Sequence, residues 1–464
     1  MESFNNKKKI YAFILCNILA GLLCFAQIKA NTLMIYVCLL AFLLGISFLA
    51  TKSFSFPILL FFLPWSKILR PSPYSFSFYT VALLLVCIIS LWRYDYRLKR
   101  YAVAVTSILA VLTLFSKWLH GSFLSLDYVM FLTMLLLFPC VKEEHKEKTY
   151  DFFVLVIFLA TGVALASLCA KQFAGYGNIQ KYIRVDSFLT ITRRCGFYED
   201  PNFYNAQVTA AMAGCMLLVL QIKNRYKMGL LFVLMIVLLY CGLLSGSKSF
   251  ALVFLSMLIL WMYMLLRMRG RTGLKSVLII GIIAATFYVL TSSLFSELIN
   301  VILTRISFAN NFSDFTTGRT YLWSMYLDAI TLDWKMFLFG VGFTNVYVNG
   351  YASHSTMIQT WFQLGIFGGI LLVIWCAYFM FGARRNLVSG KIIKTLLLVI
   401  GVFIPWIAID MLYADEFFLF QLYVFVGLLD GGMMSEEGNG QQKETIHDGT
   451  KQQTVCQEVL YSKK

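Results

Sequence analysis

"KNRYKMGLLFVLMIVLLYCGLLSGSKSFALVFLSMLILWMYMLLRMRGR", residues 223–271, decides the fold class. It holds two uncharged apolar runs, 228–244 and 249–266, each close to the ~20 residues a helix needs to cross a bilayer. Lys223, Arg225 and Lys227 precede the first run, Arg267, Arg269 and Arg271 follow the second, and only "SGSKS" separates them. Two helices joined by a tight turn, with every arginine at the far ends, read as a membrane hairpin whose ends are cytoplasmic.

The rest of the chain repeats that pattern. Of 464 residues 59% are hydrophobic and 13% charged, with mean hydropathy +0.75, more apolar surface than a soluble core of this size could bury. A segment in lipid must satisfy its own backbone hydrogen bonds, so the runs read as helices rather than as the alternating strands of a barrel. The expected fold is an all-α polytopic membrane protein with about fourteen spans. They lie at 10–28, 33–50, 54–69, 76–92, 101–119, 123–141, 150–170, 203–222, 228–244, 249–266, 275–295, 356–381, 392–409 and 414–433. Pro57 and Pro64 interrupt the third, with Pro71 and Pro73 just beyond, which leaves a kinked or re-entrant segment open there.

Orientation follows from the basic residues. With Lys7, Lys8 and Lys9 inside, residues 93–100, 142–148, 223–227, 267–275 and 384–394 become cytoplasmic loops, and all are basic or densely charged. The alternation holds only if 54–69 crosses. Both termini are then cytoplasmic. The net charge of +16 is mainly this topological signal plus attraction to anionic membrane lipids, and it does not point to nucleic acid. The first run is too long for a signal-peptide core and lacks a small-residue cleavage site, so it reads as a retained anchor. Eleven cysteines fall mostly in spans, without a CxxC pair, and Cys195 alone sits clearly in an outer loop; neither a disulfide framework nor a thiolate metal site is indicated. Residues 1–434 form one transmembrane unit with a large outer loop at about 296–355 carrying short helices, and the polar residues 435–464 read as a disordered cytoplasmic tail.

What is left is the polar content of the outer loops. "RRCGFYEDPNFYNA" contains Arg193, Arg194, Glu199, Asp200 and Asn202. Asp200 and Asn202 around Pro201 suit a helix cap, and adjacent arginines in an outer loop, where basic residues are scarce, suit an anion or a lipid headgroup. In "LSGSKSF" Lys248 is either a turn residue touching headgroups or a site cation. "TGRTYLW" places Arg319 before a helical run whose aromatics suit packing on the membrane surface. "LFGVGF" is a glycine turn without the strand, spacing or acidic residue of a nucleotide fingerprint. His354 opens "HSTMIQTWFQLGIFGG" as a helix-cap histidine or a functional one, and no second ligand accompanies it, so no metal and no cofactor is expected.

Taken in order, these five motifs resemble the successive signatures of the O-antigen ligase and O-antigen polymerase superfamily of bacterial membrane glycosyltransferases. The resemblance covers about Arg193 to Gly369. One departure is Lys248, where the family often has arginine, keeping the charge but losing the planar fork. The resemblance implies an undecaprenyl-pyrophosphate-linked oligosaccharide donor, a glycan acceptor, and metal-independent transfer on the outer face of the bacterial cytoplasmic membrane. Contacts with a chain-length regulator or a flippase would fit such a system.

The physical logic runs the same way. Without a metal, the charge that develops on a departing pyrophosphate needs fixed cations, and arginine grips phosphate with two donors. Arg194 and Arg319 are assigned to pyrophosphate, with Arg193 and Lys248 as weaker partners. His354 serves the attacking hydroxyl as base, with Glu199 or Asp200 as runner-up, and Asn202 lies beside them. Attack opposite the leaving group inverts the anomeric centre. The expected function is a cell-surface polysaccharide polymerase; the alternatives are a ligase that transfers glycan to lipid A core, and a flippase or transporter. A transporter would show broken paired helices and ionisable residues near mid-membrane. Asp410, Asp415 and Glu416 are the nearest approach to that and read as solvated loop acids.

Overall fold

The computed structural model describes residues 2–429 apart from short stretches, the longest being 268–275, 308–315, 382–388 and 412–420, and single positions including Glu199. Glu199, the acids Asp415 and Glu416 and the tail 435–464 therefore lie outside the described residues. In chain order the helices are α1 (Glu2–Ile28), α2 (Thr32–Ala50), α3 (Ser55–Phe62), α4 (Phe78–Tyr94), α5 (Arg100–His120), α6 (Leu126–Glu147) and α7 (Phe152–Gln172). A hairpin of β1 (Val185–Phe188) and β2 (Ile191–Arg194) follows. Then come α8 (Pro201–Gln221), α9 (Arg225–Leu244), α10 (Lys248–Arg267), α11 (Ser293–Ser307), α12 (Arg319–Leu332), α13 (Trp334–Phe339), α14 (Thr356–Phe381) and α15 (Ser389–Phe403).

Among the described residues seven helices are long and apolar enough to cross a membrane: α1, α5, α7, α8, α9, α10 and α14. Five shorter apolar helices, Thr32–Phe48, Phe56–Trp65, Phe78–Trp92, Tyr128–Cys140 and Ile392–Ile407, coincide with five further expected spans. The expected spans 275–295 and 414–433 fall on stretches only partly described. The chain is a multi-pass helical membrane protein. One small departure from all-α is the antiparallel β1–β2 hairpin in the loop before α8.

Successive segments run between two ends of the molecule. At one end Gln27, closing α1, donates from Nε2 to the carbonyl oxygens of Ile68 (3.2 Å) and Arg70 (3.0 Å), and the Tyr182 hydroxyl donates to Arg70 O at 3.3 Å. At the other, Lys227 at the start of α9 lies 4.6 Å over the ring of Phe153 at the start of α7, and Tyr101 at the start of α5 stacks on Tyr378 near the end of α14. The loops before α5 and α9, both basic in sequence, thus lie at the end opposite to Arg70 and Tyr182.

The third segment is not a span exposed to lipid. α3 has eight residues and gives way to a three-residue 3-10 turn with Pro64 at its start, together about 18 Å of rise against a hydrocarbon core of about 30 Å. Irregular backbone at membrane depth is tolerated only where protein covers it. Here Phe56, Leu59, Leu60, Phe61, Phe62, Leu63 and Trp65 are all buried, and α7 presses Gly162 so close that a β-carbon there would lie 2.3 Å from Phe61 O.

α8 is the axis of the bundle, 89% buried and packed against α7, α9, α10 and α15. Small residues allow this: Gly401 of α15 sits 2.9 Å, by its virtual β-carbon, from Ala213, and the Thr209 hydroxyl donates to Gly401 O at 2.6 Å. The beginning of this central helix, Asp200 to Asn202, faces the site.

Candidate functional site

α9 ends at Leu244, at the negative end of its dipole, and the Ser245 and Gly246 N–H groups turn back onto the carbonyls of Gly242 and Leu243. Two arginines take the next carbonyls. Arg193 Nε donates to Ser245 O at 3.0 Å, and an Arg305 guanidinium nitrogen donates to Gly246 O. Gly246 takes φ +56°, which favours glycine, and its virtual β-carbon would press on Val301 at 3.0 Å. The "SGSKS" turn is therefore a knot. Asn205 Nδ2 donates to Ser245 Oγ (2.9 Å), and the hydroxyls of Ser247 and Ser249 donate to Asn202 Oδ1 (3.1 and 3.2 Å).

Beside this knot lies a cavity of about 580 Å³ where four helices begin. Asp200 caps α8, its Oδ1 accepting the Asn202 N–H at 2.6 Å, with Pro201 in the first turn. Lys248 opens α10, and its ammonium donates to Arg305 O at 3.4 Å. Arg319 opens α12 behind Gly318, whose φ of +77° in open space explains the glycine. His354 stands two residues before α14, at φ +50°. The lining includes Arg193, Asp200, Asn202, Lys248, Arg305, Arg319 and His354, walled on the apolar side by residues such as Leu252, Trp323 and Ile407.

The electrostatics are one-sided. A cation at a helix N-terminus works against the dipole, and Arg319 is also half-buried. Burial first, then neighbouring Arg193, lowers the proton affinity of Arg319, while Asp200 raises it. His354 is pushed below the ordinary histidine value, mainly by burial and also by Arg319, with Asp200 opposing. That shift favours its neutral form. An anion in this cavity would meet four cations and four positive helix ends, relieving the conflict that each of them creates alone.

Six residues named from sequence meet here: Arg193, Asp200, Asn202, Lys248, Arg319 and His354. Arg194, ranked above Arg193 from sequence, is not in the lining, because successive residues of β2 face opposite sides and Arg193 is the one turned to Ser245 and the cavity. Asp200 and the turn of Lys248 keep their modest roles as cap and connector while also lining the cavity. Arg305 was missed. The signal available was a single cation near the end of the apolar run "LINVILTRIS".

Asp410 needs a correction: it is buried rather than solvated, 7% exposed. The residues on either side of it are pinned to the start of α14, where Thr356 Oγ1 donates to Ile409 O (2.7 Å) and accepts the Met411 N–H (3.0 Å). That places it at the end that bears the cavity. Cys195 is also buried. Of the aromatic run after Arg319, Tyr321 and Trp334 are exposed while Tyr326 is fully buried.

No group of three or more His, Cys, Asp or Glu that could hold a metal ion occurs among the described residues. Compared with known proteins, the chain matches no protein-family model and no curated protein.

Proposed function

We propose that the chain is a membrane glycosyltransferase that polymerises a cell-surface polysaccharide from undecaprenyl-pyrophosphate-linked repeat units at the outer face of a bacterial cytoplasmic membrane. The single observation that carries this reading is the convergence of Arg193, Lys248, Arg305 and Arg319 on one cavity with His354. The cavity lies among loops at the end opposite to the basic connections, which is the outer end if those connections are cytoplasmic.

In the proposed reaction the acceptor hydroxyl oxygen bonds to the anomeric carbon as the bond from that carbon to the pyrophosphate oxygen breaks. The electron pair leaves with the lipid pyrophosphate, and its charge is taken up by the arginines and Lys248. The hydroxyl proton passes to a ring nitrogen of His354. Attack from the face opposite the leaving group inverts the centre. Asp200 faces the same cavity and raises the proton affinity of His354, which helps it hold that proton.

The test is purified protein given a synthetic undecaprenyl-pyrophosphate repeat unit in the presence of chelator. A polymerase uses that one compound as donor and acceptor and builds a ladder of inverted linkages. No ladder until lipid A core is added would make the protein a ligase, and a ladder that requires a divalent ion would overturn the cation mechanism. Movement of the lipid-linked glycan across vesicles without any new glycosidic bond would make it a transporter.

A further inference from the structure

"VNGY", residues 348–351, forms a two-residue hairpin turn just before His354. Asn349 and Gly350 have φ of +51° and +81°, and the Tyr351 N–H donates to Val348 O at 3.0 Å. Positive φ at both central residues is what Asn-Gly favours in a type I′ turn. In such a pair the Val348 N–H would return a bond to the Tyr351 carbonyl. A hydroxyl from another helix engages both of these groups: Tyr326 donates to Tyr351 O at 2.7 Å and accepts the Val348 N–H at 3.4 Å.

Tyr326 is fully buried, its ring edge-on to Phe362 of α14 at 5.0 Å. It lies two turns along α12 from Arg319. Tyr351 lies three residues before His354, and beyond His354 the chain is pinned again, by the Ser353 hydroxyl donating to Ser355 O (3.1 Å) and by Thr356 on Ile409. His354 sits between these anchors at φ +50°, a strained conformation for a side chain that persists only where its surroundings hold it.

We propose that Tyr326 is a positioning residue: its hydroxyl ties the helix that begins at Arg319 to the hairpin that leads into His354. It thereby sets the separation, across the cavity, of the cation that meets the leaving group and the base that meets the acceptor. The roles of those two residues rest on the function proposed above; the tie between them does not. Removing the hydroxyl keeps the ring packed on Phe362 and releases the hairpin from α12, which lets the His354 segment shift.

The experiment is Tyr326→Phe in the full-length protein, read in two ways. The first is turnover against donor concentration, where kcat is expected to fall about ten- to a hundredfold with donor KM little changed. The second is the titration of His354 by magnetic resonance of ring-labelled histidine; the chain has four histidines, and His354→Asn identifies the signal. The charged groups facing His354 are Asp200 and Arg319, with Arg193, Lys248 and Arg305 around the same cavity. Its titration is expected to move up toward that of free histidine as the ring leaves this buried, cationic setting. Gly350→Ala strains the same hairpin from its open side and must reproduce both effects, including when Tyr326→Phe accumulates poorly. Unchanged titration in both variants, or lower thermal stability with normal kcat, would overturn the proposal. A moved titration in a protein that transfers no glycan would uphold the tie and sink the glycosyltransferase reading instead.

Discussion

Gly340 and Gly365 meet backbone against backbone. A β-carbon on Gly340 would lie 2.4 Å from the Gln363 carbonyl, and one on Gly365 would lie 2.3 Å from Leu338 O; both residues have positive φ, +68° and +64°. The Val341 N–H donates to Phe362 O at 3.0 Å across the same contact. "LFGVGF" and "FQLGIFGG", far apart in sequence, are two halves of one joint, and the span expected at 356–381 is broken at Gly365 to make it. The first segment of α14, which follows His354, takes its direction from this joint.

Gly365→Ala or Gly340→Ala should therefore be strongly destabilising. With φ of +68° and +64° and ψ of −178° and −176°, both residues occupy a region essentially confined to glycine, where a side chain costs about 1–3 kcal/mol, and overpacking adds roughly 1–3 kcal/mol. Thermal unfolding of the purified protein should move several degrees down and membrane levels should fall. An alanine variant that melts with the wild type would refute the contact.

The alternation of β2 orders two adjacent arginines. Arg193→Ala should lose roughly 10²-fold in turnover, as should Arg319→Ala, since each removes a fixed cation from the leaving group. Arg194→Ala should keep most activity at normal membrane levels. Arg305→Ala should resemble Arg193→Ala, whereas Lys248→Arg should retain activity. Equal losses at Arg193 and Arg194 would mean that the hairpin serves the site by its fold alone.

The pH profile follows from His354. Burial and Arg319 lower its proton affinity, so the neutral, proton-accepting form persists below the usual histidine range. Activity should be flat through neutrality and fall only on the acid side, below the ordinary histidine range. Asp200 works in the opposite direction, so Asp200→Asn, which can still cap α8, should move the acid limb to lower pH. A limb that moves upward would mean that another group is being titrated.

Topology is checked by reporters. Fusions after Lys146 and Arg225 should score cytoplasmic, and fusions at Asn178 and Asn349 should score outside. A cytoplasmic signal at Asn349 would put His354 on the wrong side for a lipid-linked glycan donor.

The sequence by itself determined that this is a multi-pass helical membrane protein and where most of its helices run. Burial in lipid depends on local composition, so a window of about 20 residues carries the information wherever it lies in the chain. It also contained Arg193, Asp200, Asn202, Lys248, Arg319 and His354 as polar residues out of place, because ionisable side chains beside apolar runs are costly and rare. Tertiary structure alone decided what those residues do together. That the "SGSKS" turn ties Arg193 and Arg305 to the end of α9, that Arg193 and not Arg194 reaches the cavity, and that four helices begin at one place depend on contacts between segments far apart in the chain. The same holds for the proline-broken third segment, which survives because α7 covers its backbone, for the buried Asp410, and for the two glycines whose meeting bends α14. Hydropathy sums over neighbours in sequence, whereas these features arise from neighbours in space, and no local pattern encodes which distant backbone will come to rest against a given glycine.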